Sequence, residues 1–282
     1  MRVGHRAPAR YGRCAQNHDA ESTGRTVPRT RRLRLDFSRA WPFTTAITMR
    51  TLKLSTVGAV CAILTTVCFV AGGVLLGSSG GPGDLIPKTG PDGLAWIADV
   101  NSASDGFFGG AWLIIVTTIV GIVALVGFYD ALREAGPVMI LAPIVGAVGL
   151  TLVTISHLVP IALAYEFVPG YVAADDSMKA SLAVTFDTLA NLSLILNYVG
   201  NALGWGVAVP LYALAILKTS VVPRWIGWLG LVVAVFAGWL ALLAPTSSVI
   251  EGTTFLGFVA FFVFMLSMGI ALLRRQRRAT TA

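Results

Sequence analysis

Asp187, Asn191, Tyr198, Asn201 and Trp205 stand at offsets of 0, 4, 11, 14 and 18, so on a helix they fall along one side. Leu194 interrupts the row at offset 7, and Asn197 lies beside it. A carboxylate, three carboxamides, a phenol and an indole give such a helix a hydrogen-bonding stripe. Within an apolar stretch the stripe is expensive toward lipid and must face other helices, water or a ligand. It has two uses: interhelical glue at about 0.6 kcal/mol per contact, or the lining of a solute or proton path. His157 is the natural partner for Asp187. Counting 20 residues from Pro137 puts His157 at ~30 Å, and counting 31 back from Lys218 puts Asp187 at ~46 Å, less if the helix bends at Pro210. The two are therefore expected to meet near one membrane boundary, where a His beside a carboxylate can sense pH or relay protons. A His bonded to a neighbour for structure alone is the plainer alternative.

Gly200 and Gly204 are spaced as Gly-x-x-x-Gly, which lets helix backbones approach closely, and Ala142 with Gly146 is a milder version. Both read as helix packing. Gly77-Ser78-Ser79-Gly80-Gly81 matches the Gly-x-Ser-x-Gly nucleophile pattern in letters only, because it follows a long apolar run and not a strand entering a turn. Two of the three His, His5 and His18, lie in an Arg-rich tail, and the three Cys are scattered, so no metal site is expected. Cys61 and Cys68 read as small buried hydrophobes. With no phosphate loop, dinucleotide fingerprint or His-Glu-x-x-His, no catalytic residue and no cofactor are assigned, and an enzyme is disfavoured.

The elements that must hold these residues are long apolar runs. At helical rise, roughly 20 residues cross the ~30 Å hydrocarbon core. Six stretches qualify, about 54–77, 107–129, 137–164, 182–217, 225–243 and 254–273. With 55% hydrophobic and only 12% charged residues, the chain cannot cover a water-facing surface, and lipid must be its main solvent. The fold class is all-α, an integral membrane bundle of six transmembrane helices. The fourth stretch, counted from Ala180, would reach ~57 Å and must tilt, kink or project, with Gly204, Gly206 and Pro210 as the places to bend. Residues 78–106 read as a Gly- and Pro-rich acidic loop whose segment 94–98 forms a turn or two in the headgroup layer. Residues 165–181 read as a second acidic loop. Residues 1–48 form an Arg-rich segment without apolar periodicity, expected to be disordered, and Met49 resembles the true start of a domain covering 49–278.

Charge sets the topology. Nineteen of the 21 Lys and Arg fall on one side of a six-pass arrangement, leaving Lys88 and Lys179 on the other with eight carboxylates. The positive-inside rule then places both termini in the cytoplasm. The predicted surroundings are the lipid bilayer of a plasma membrane, a bacterial inner membrane, with anionic headgroups at the basic tails. Nucleic acid is not an expected partner despite the net charge of +7, because the cations flank apolar helices. Packing motifs serve contacts between copies as well as within one, so a homo-oligomer stays open.

Pro210-Leu211-Tyr212, followed by Val222-Pro223-Arg224-Trp225-Ile226-Gly227-Trp228-Leu229-Gly230, resembles the region after the fourth helix in the domain of unknown function 4386 family. That resemblance implies a bacterial six-span membrane protein with no assigned activity, and it transfers no site residues. Two functions fit these observations. One is a small-solute or proton transporter, or a sensor, using His157, Asp187, Asn191, Asn197, Tyr198 and Asn201. The other is a structural or assembly subunit without a ligand of its own.

Overall fold

The computed structural model describes residues 53–246 and 248–281, so the reading of residues 1–48 and of a start at Met49 falls outside them. The described residues are mostly helical and contain no strand. In chain order the helices are α1 (Leu54–Ser78), α2 (Pro91–Ser102), α3 (Asp105–Leu132), α4 (Leu141–Ala162), α5 (Val168–Ala173), α6 (Asp176–Leu203), α7 (Val209–Thr219), α8 (Arg224–Val233) and α9 (Ser248–Thr281). Short 3₁₀ and π turns join several of them end to end. The result is six helices long and apolar enough to cross a membrane: Leu54–Ser78, Asp105–Ala135, Pro137–Ala173, Asp176–Thr219, Arg224–Leu243 and Gly252–Ala279. The molecule is an all-α bundle of a kind suited to a bilayer, and it has a basic and an acidic end. Lys53, Arg133, Lys218, Arg224 and the α9 arginines Arg274, Arg275, Arg277 and Arg278 belong to the basic end.

Helices in lipid lack a hydrophobic drive toward one another, so close backbone approach supplies the dispersion contact that holds them. A Cβ added to Gly127 of α3 would lie 2.3 Å from Gly58 Cα of α1. Gly200 of α6 meets α4 likewise: its Cβ would come within 2.7 Å of the Gly149 carbonyl. Gly149 in turn abuts the backbone of Gly204, although a Cβ on Gly204 itself would meet open space. At the basic end Phe128, Tyr212, Phe264, Met265 and Met268 fill a closed core, and Tyr212 Oη donates to the Leu125 carbonyl at 2.7 Å. There the start of α1 is capped from outside its own segment. Asp130 Oδ2 accepts from the Ser55 N–H at 3.1 Å, supplying the acceptor that Lys53 does not.

Three expectations need correction. The third span does not end near residue 164, because a π turn at Leu163–Phe167 leads into α5, and the helix continues to Ala173. The expected loop 165–181 shrinks to Ala174 and Asp175, after which Asp175 starts α6 by accepting from the Met178 N–H at 2.8 Å. The reason is shared with the fourth span. A π turn precedes Pro169 as another, Gly204–Ala208, precedes Pro210, and each wide turn absorbs the hydrogen bond a proline cannot donate. Third, the segment around Trp96 is longer than a turn or two. It is a helix of 12 residues, α2, that packs Trp96, Ile97 and Val100 against Phe107, Val168 and Phe186. At ~1.5 Å per residue the 37- and 44-residue spans reach ~55 and ~66 Å, so their joined ends project past a ~30 Å core and α2 leans on them.

Candidate functional site

Between the closed core and the α2 cap lies a cavity of about 1050 Å³. Its walls are mostly apolar. They come from α1 (Thr65, Phe69, Gly73), α3 (Ile114, Thr117, Thr118, Gly121), α4 (Leu150, Val153, His157) and α6 (Leu194, Asn197, Tyr198, Asn201). Trp205 from the π turn and Thr254 to Phe262 of α9 complete them, with residues 83–89 across the acidic end. The space follows from how the first and last spans choose neighbours. Phe69 and Phe262 stack at 3.8 Å, and Thr66 Oγ1 donates to the Phe262 carbonyl at 3.3 Å. Beyond that level α1 keeps to α3, with Gly72 against Gly110, while α9 keeps to the far side, with Gly257 against Phe236 and Ala237. The helices diverge and leave a gap.

The polar groups on these walls divide into two kinds. Asn201, which is 2% exposed, donates through Nδ2 to Asn197 Oδ1 at 2.8 Å, and Asn197 Nδ2 donates to Ser156 Oγ at 3.3 Å. Ser193 Oγ donates to the Ser156 carbonyl at 2.6 Å. Thr118 and Thr154 share a hydrogen bond of 2.7 Å between α3 and α4. These groups tie helices together. By contrast, Trp205 Nε1 is enclosed and makes no hydrogen bond, and the enclosed His157 Nδ1 has no partner on another helix, only the Val153 carbonyl of its own being near it. The Val153 carbonyl, one turn before His157, already accepts from Ser156 Oγ at 2.7 Å. Trp205 lies against Phe261 at 3.9 Å between ring centres, which holds its plane but gives its N–H no acceptor. A buried N–H left unpaired costs about 1–3 kcal/mol, so these two nitrogens are the anomaly of the site.

Of the residues singled out in sequence, His157, Asn197, Tyr198 and Asn201 meet on the cavity wall, while Asp187 and Asn191 do not. Asn191 is exposed on the outside of α6. Asp187 is not paired with His157. Its Oδ1 accepts from the Gly90 N–H at 3.0 Å, anchoring residues 83–89 as a strap whose other tie is Trp96 Nε1 to the Asp84 carbonyl at 3.1 Å. The expected bend at Pro210 does not bring Asp187 level with His157, because the π turn at Gly204–Ala208 carries the helix on through the proline. Phe186, next to Asp187, sits beside Phe167 at 5.7 Å, a residue expected in a loop, whereas His157 lies level with Ser193 and Asn197. Asp187 is six to ten residues further along α6 than those two, or ~9–15 Å. Ser156 and Ser193 were missed. Their signal is a hydroxyl well inside each span, that of Ser193 standing four and eight residues before Asn197 and Asn201.

No family model, curated protein or solved structure matches this chain. The site must be read from its own chemistry. Within the spans its walls offer amide, hydroxyl, indole and imidazole groups among aromatic and aliphatic ones, while Asp84 and Lys88 sit on the strap. Such walls suit a molecule that is mostly apolar, with a few hydrogen-bonding atoms and no full charge at depth.

Proposed function

We propose that this multi-pass membrane protein binds a small, uncharged solute in the cavity between α1, α3, α4, α6 and α9, as a carrier or as a sensor. The carrying observation is the pair of enclosed nitrogens without an interhelical partner, His157 Nδ1 and Trp205 Nε1, beside an open volume of about 1050 Å³. The proton-relay variant loses support, since His157 and Asp187 sit at different heights on their helices. The wider placement belongs to the same proposal. Both termini face the cytoplasm of a bacterial plasma membrane, and the chain belongs with the unknown-function family that its 222–230 segment resembles. The clustering of cations at one end of the bundle supports the orientation.

The structural-subunit reading also has an observation in its favour, the chain from Asn201 through Asn197 to Ser156 that joins α6 to α4. One experiment separates the two. In nanodiscs, thermal unfolding is followed with a panel of neutral solutes on the wild type and on H157L, W205F, N197A and N201A. A binding protein is stabilised by at least one solute, by RT ln(1 + [L]/Kd). H157L and W205F, which break no hydrogen bond between helices, keep normal abundance and lose that response. If no solute shifts the wild type and only N197A and N201A change anything, the subunit reading stands and the binding proposal falls.

A further inference from the structure

The outline of the cavity carries more than its volume. Its exposed lining residues within the spans are Gly73 of α1 and Phe255 and Val259 of α9, with Phe255 65% exposed and Val259 47%. All three are apolar. They frame the gap where α1 and α9 part beyond the Phe69 and Phe262 stack. Counted along the helices, Gly73 is 19 residues from Leu54 and Val259 is 15 from Arg274, placing them ~29 and ~22 Å from the basic end. Both heights fall inside a ~30 Å hydrocarbon layer, in the half nearer the acidic end. The gap therefore faces acyl chains, not water. The aqueous end of the same cavity is crossed by the strap 83–89, held at Gly90 by Asp187 and at Asp84 by Trp96.

We infer that the occupant is a neutral, single-chain lipid-like molecule that enters sideways from the membrane leaflet at the acidic end, through the gap between α1 and α9. This rests on the binding reading above and names its substrate class. An aromatic floor at Phe69 and Phe262 receives the chain. A head with a carbonyl or hydroxyl oxygen supplies the acceptor that Trp205 lacks and a partner for His157. A charged head would be left unpaired at that depth, where ionised groups are most costly. A water-soluble solute would instead have to displace the strap.

The test uses the full chain in nanodiscs and a diazirine-bearing monoacylglycerol, with a short water-soluble diazirine alcohol as the second probe. Crosslinked peptides are mapped by mass spectrometry, with G73W and V259W as gap-filling variants. A Cβ at Gly73 meets nothing within 4 Å, so G73W fills free space, and V259W provides an independent plug should either variant fold poorly. The expected result is labelling of the 198–205 segment by the lipid probe in the wild type, reduced at least tenfold by either plug, with Asp187→Ala leaving it unchanged. Lipid labelling that survives both plugs overturns the lateral route. Labelling of 198–205 by the water-soluble probe alone overturns the lipid assignment while leaving a binding cavity in place. No labelling there by either probe, together with no solute response in the unfolding experiment, overturns both.

Discussion

Around Phe128 the rings of Tyr212 and Phe264 meet edge to face at 5.9 and 6.4 Å, and every neighbour is closed off from solvent. A few turns away, around His157 and Trp205, the same spans enclose about 1050 Å³ of open space. The two regions share composition and helices, so hydrophobicity does not separate them. What differs is whether α1 and α9 touch. Where they do, small residues bring backbones together and aromatic rings fill the centre. Where each turns to another neighbour, no side chain is long enough to bridge the gap, and the polar groups that face it lose partners. Closure in a membrane bundle is thus a property of helix pairing more than of apolar content.

Three experiments probe that contrast. The largest effect is expected for G127L, whose new Cβ would lie 2.3 Å from Gly58 Cα, backbone that cannot yield. A loss of about 3 kcal/mol or more, read as loss of monodisperse protein on size exclusion, is the expectation, against almost no loss for G73L at the open gap. Equal tolerance at both positions would erase the difference between the halves. Next, F264A should cost about 3 kcal/mol in reversible unfolding and F258A, which already borders the cavity, about 1 kcal/mol. Similar costs would mean that the space closes around Phe258 in a bilayer.

The smallest effect is a pH response at the acidic tip. The Met178 N–H holds the Asp175 carboxyl below its usual range, and the Ser177 hydroxyl and Lys179 add to this. A depressed carboxylate stabilises the fold above its ordinary titration and stops doing so as pH falls through the lowered value. Protection of the Ser177 to Lys179 amides, taken relative to their intrinsic exchange at each pH, should therefore fall below about pH 4. D175N, which still caps a helix, should remove that dependence while keeping slow exchange. Acid-quickened exchange spreading into the closed core would show that the two halves unfold as one.

Much of the bundle could be read from the chain. Six apolar runs, cations at alternate joints and a close backbone approach at Gly200 follow from length, charge and residue size, all local quantities, whereas its partner Gly149 on the facing helix does not. The third span was cut short because Glu166 and Pro169 look like loop residues, and one-dimensional reading does not show a π turn absorbing the proline. The His157 and Asp187 pair relied instead on a bend at Pro210 to bring the two level, and the Gly204–Ala208 π turn carries the helix through, so the structure does not form it. Asn197, Tyr198 and Asn201 were legible as a stripe, since polar side chains in a span are conspicuous. The cavity they line was not. It arises from residues of α1 and α9 that diverge about 190 positions apart in sequence, a non-local arrangement with no periodic signature.

The seam between α1 and α9 bears on how the protein is made. Its ties run from Ser55 and Thr56 to Gln276, at 3.1 and 2.6 Å, and from Thr66 to Phe262, across separations of 221, 220 and 196 residues. Contacts so distant along the chain form after the intervening helices are in place. Until α9 emerges from the ribosome, α1 has α3 for company but a bare flank bearing hydroxyls toward lipid. Pairing of α9 with α1 therefore comes only after the helices between them have been made, and until then Ser55, Thr56 and Thr66 lack the α9 partners they have in the finished bundle.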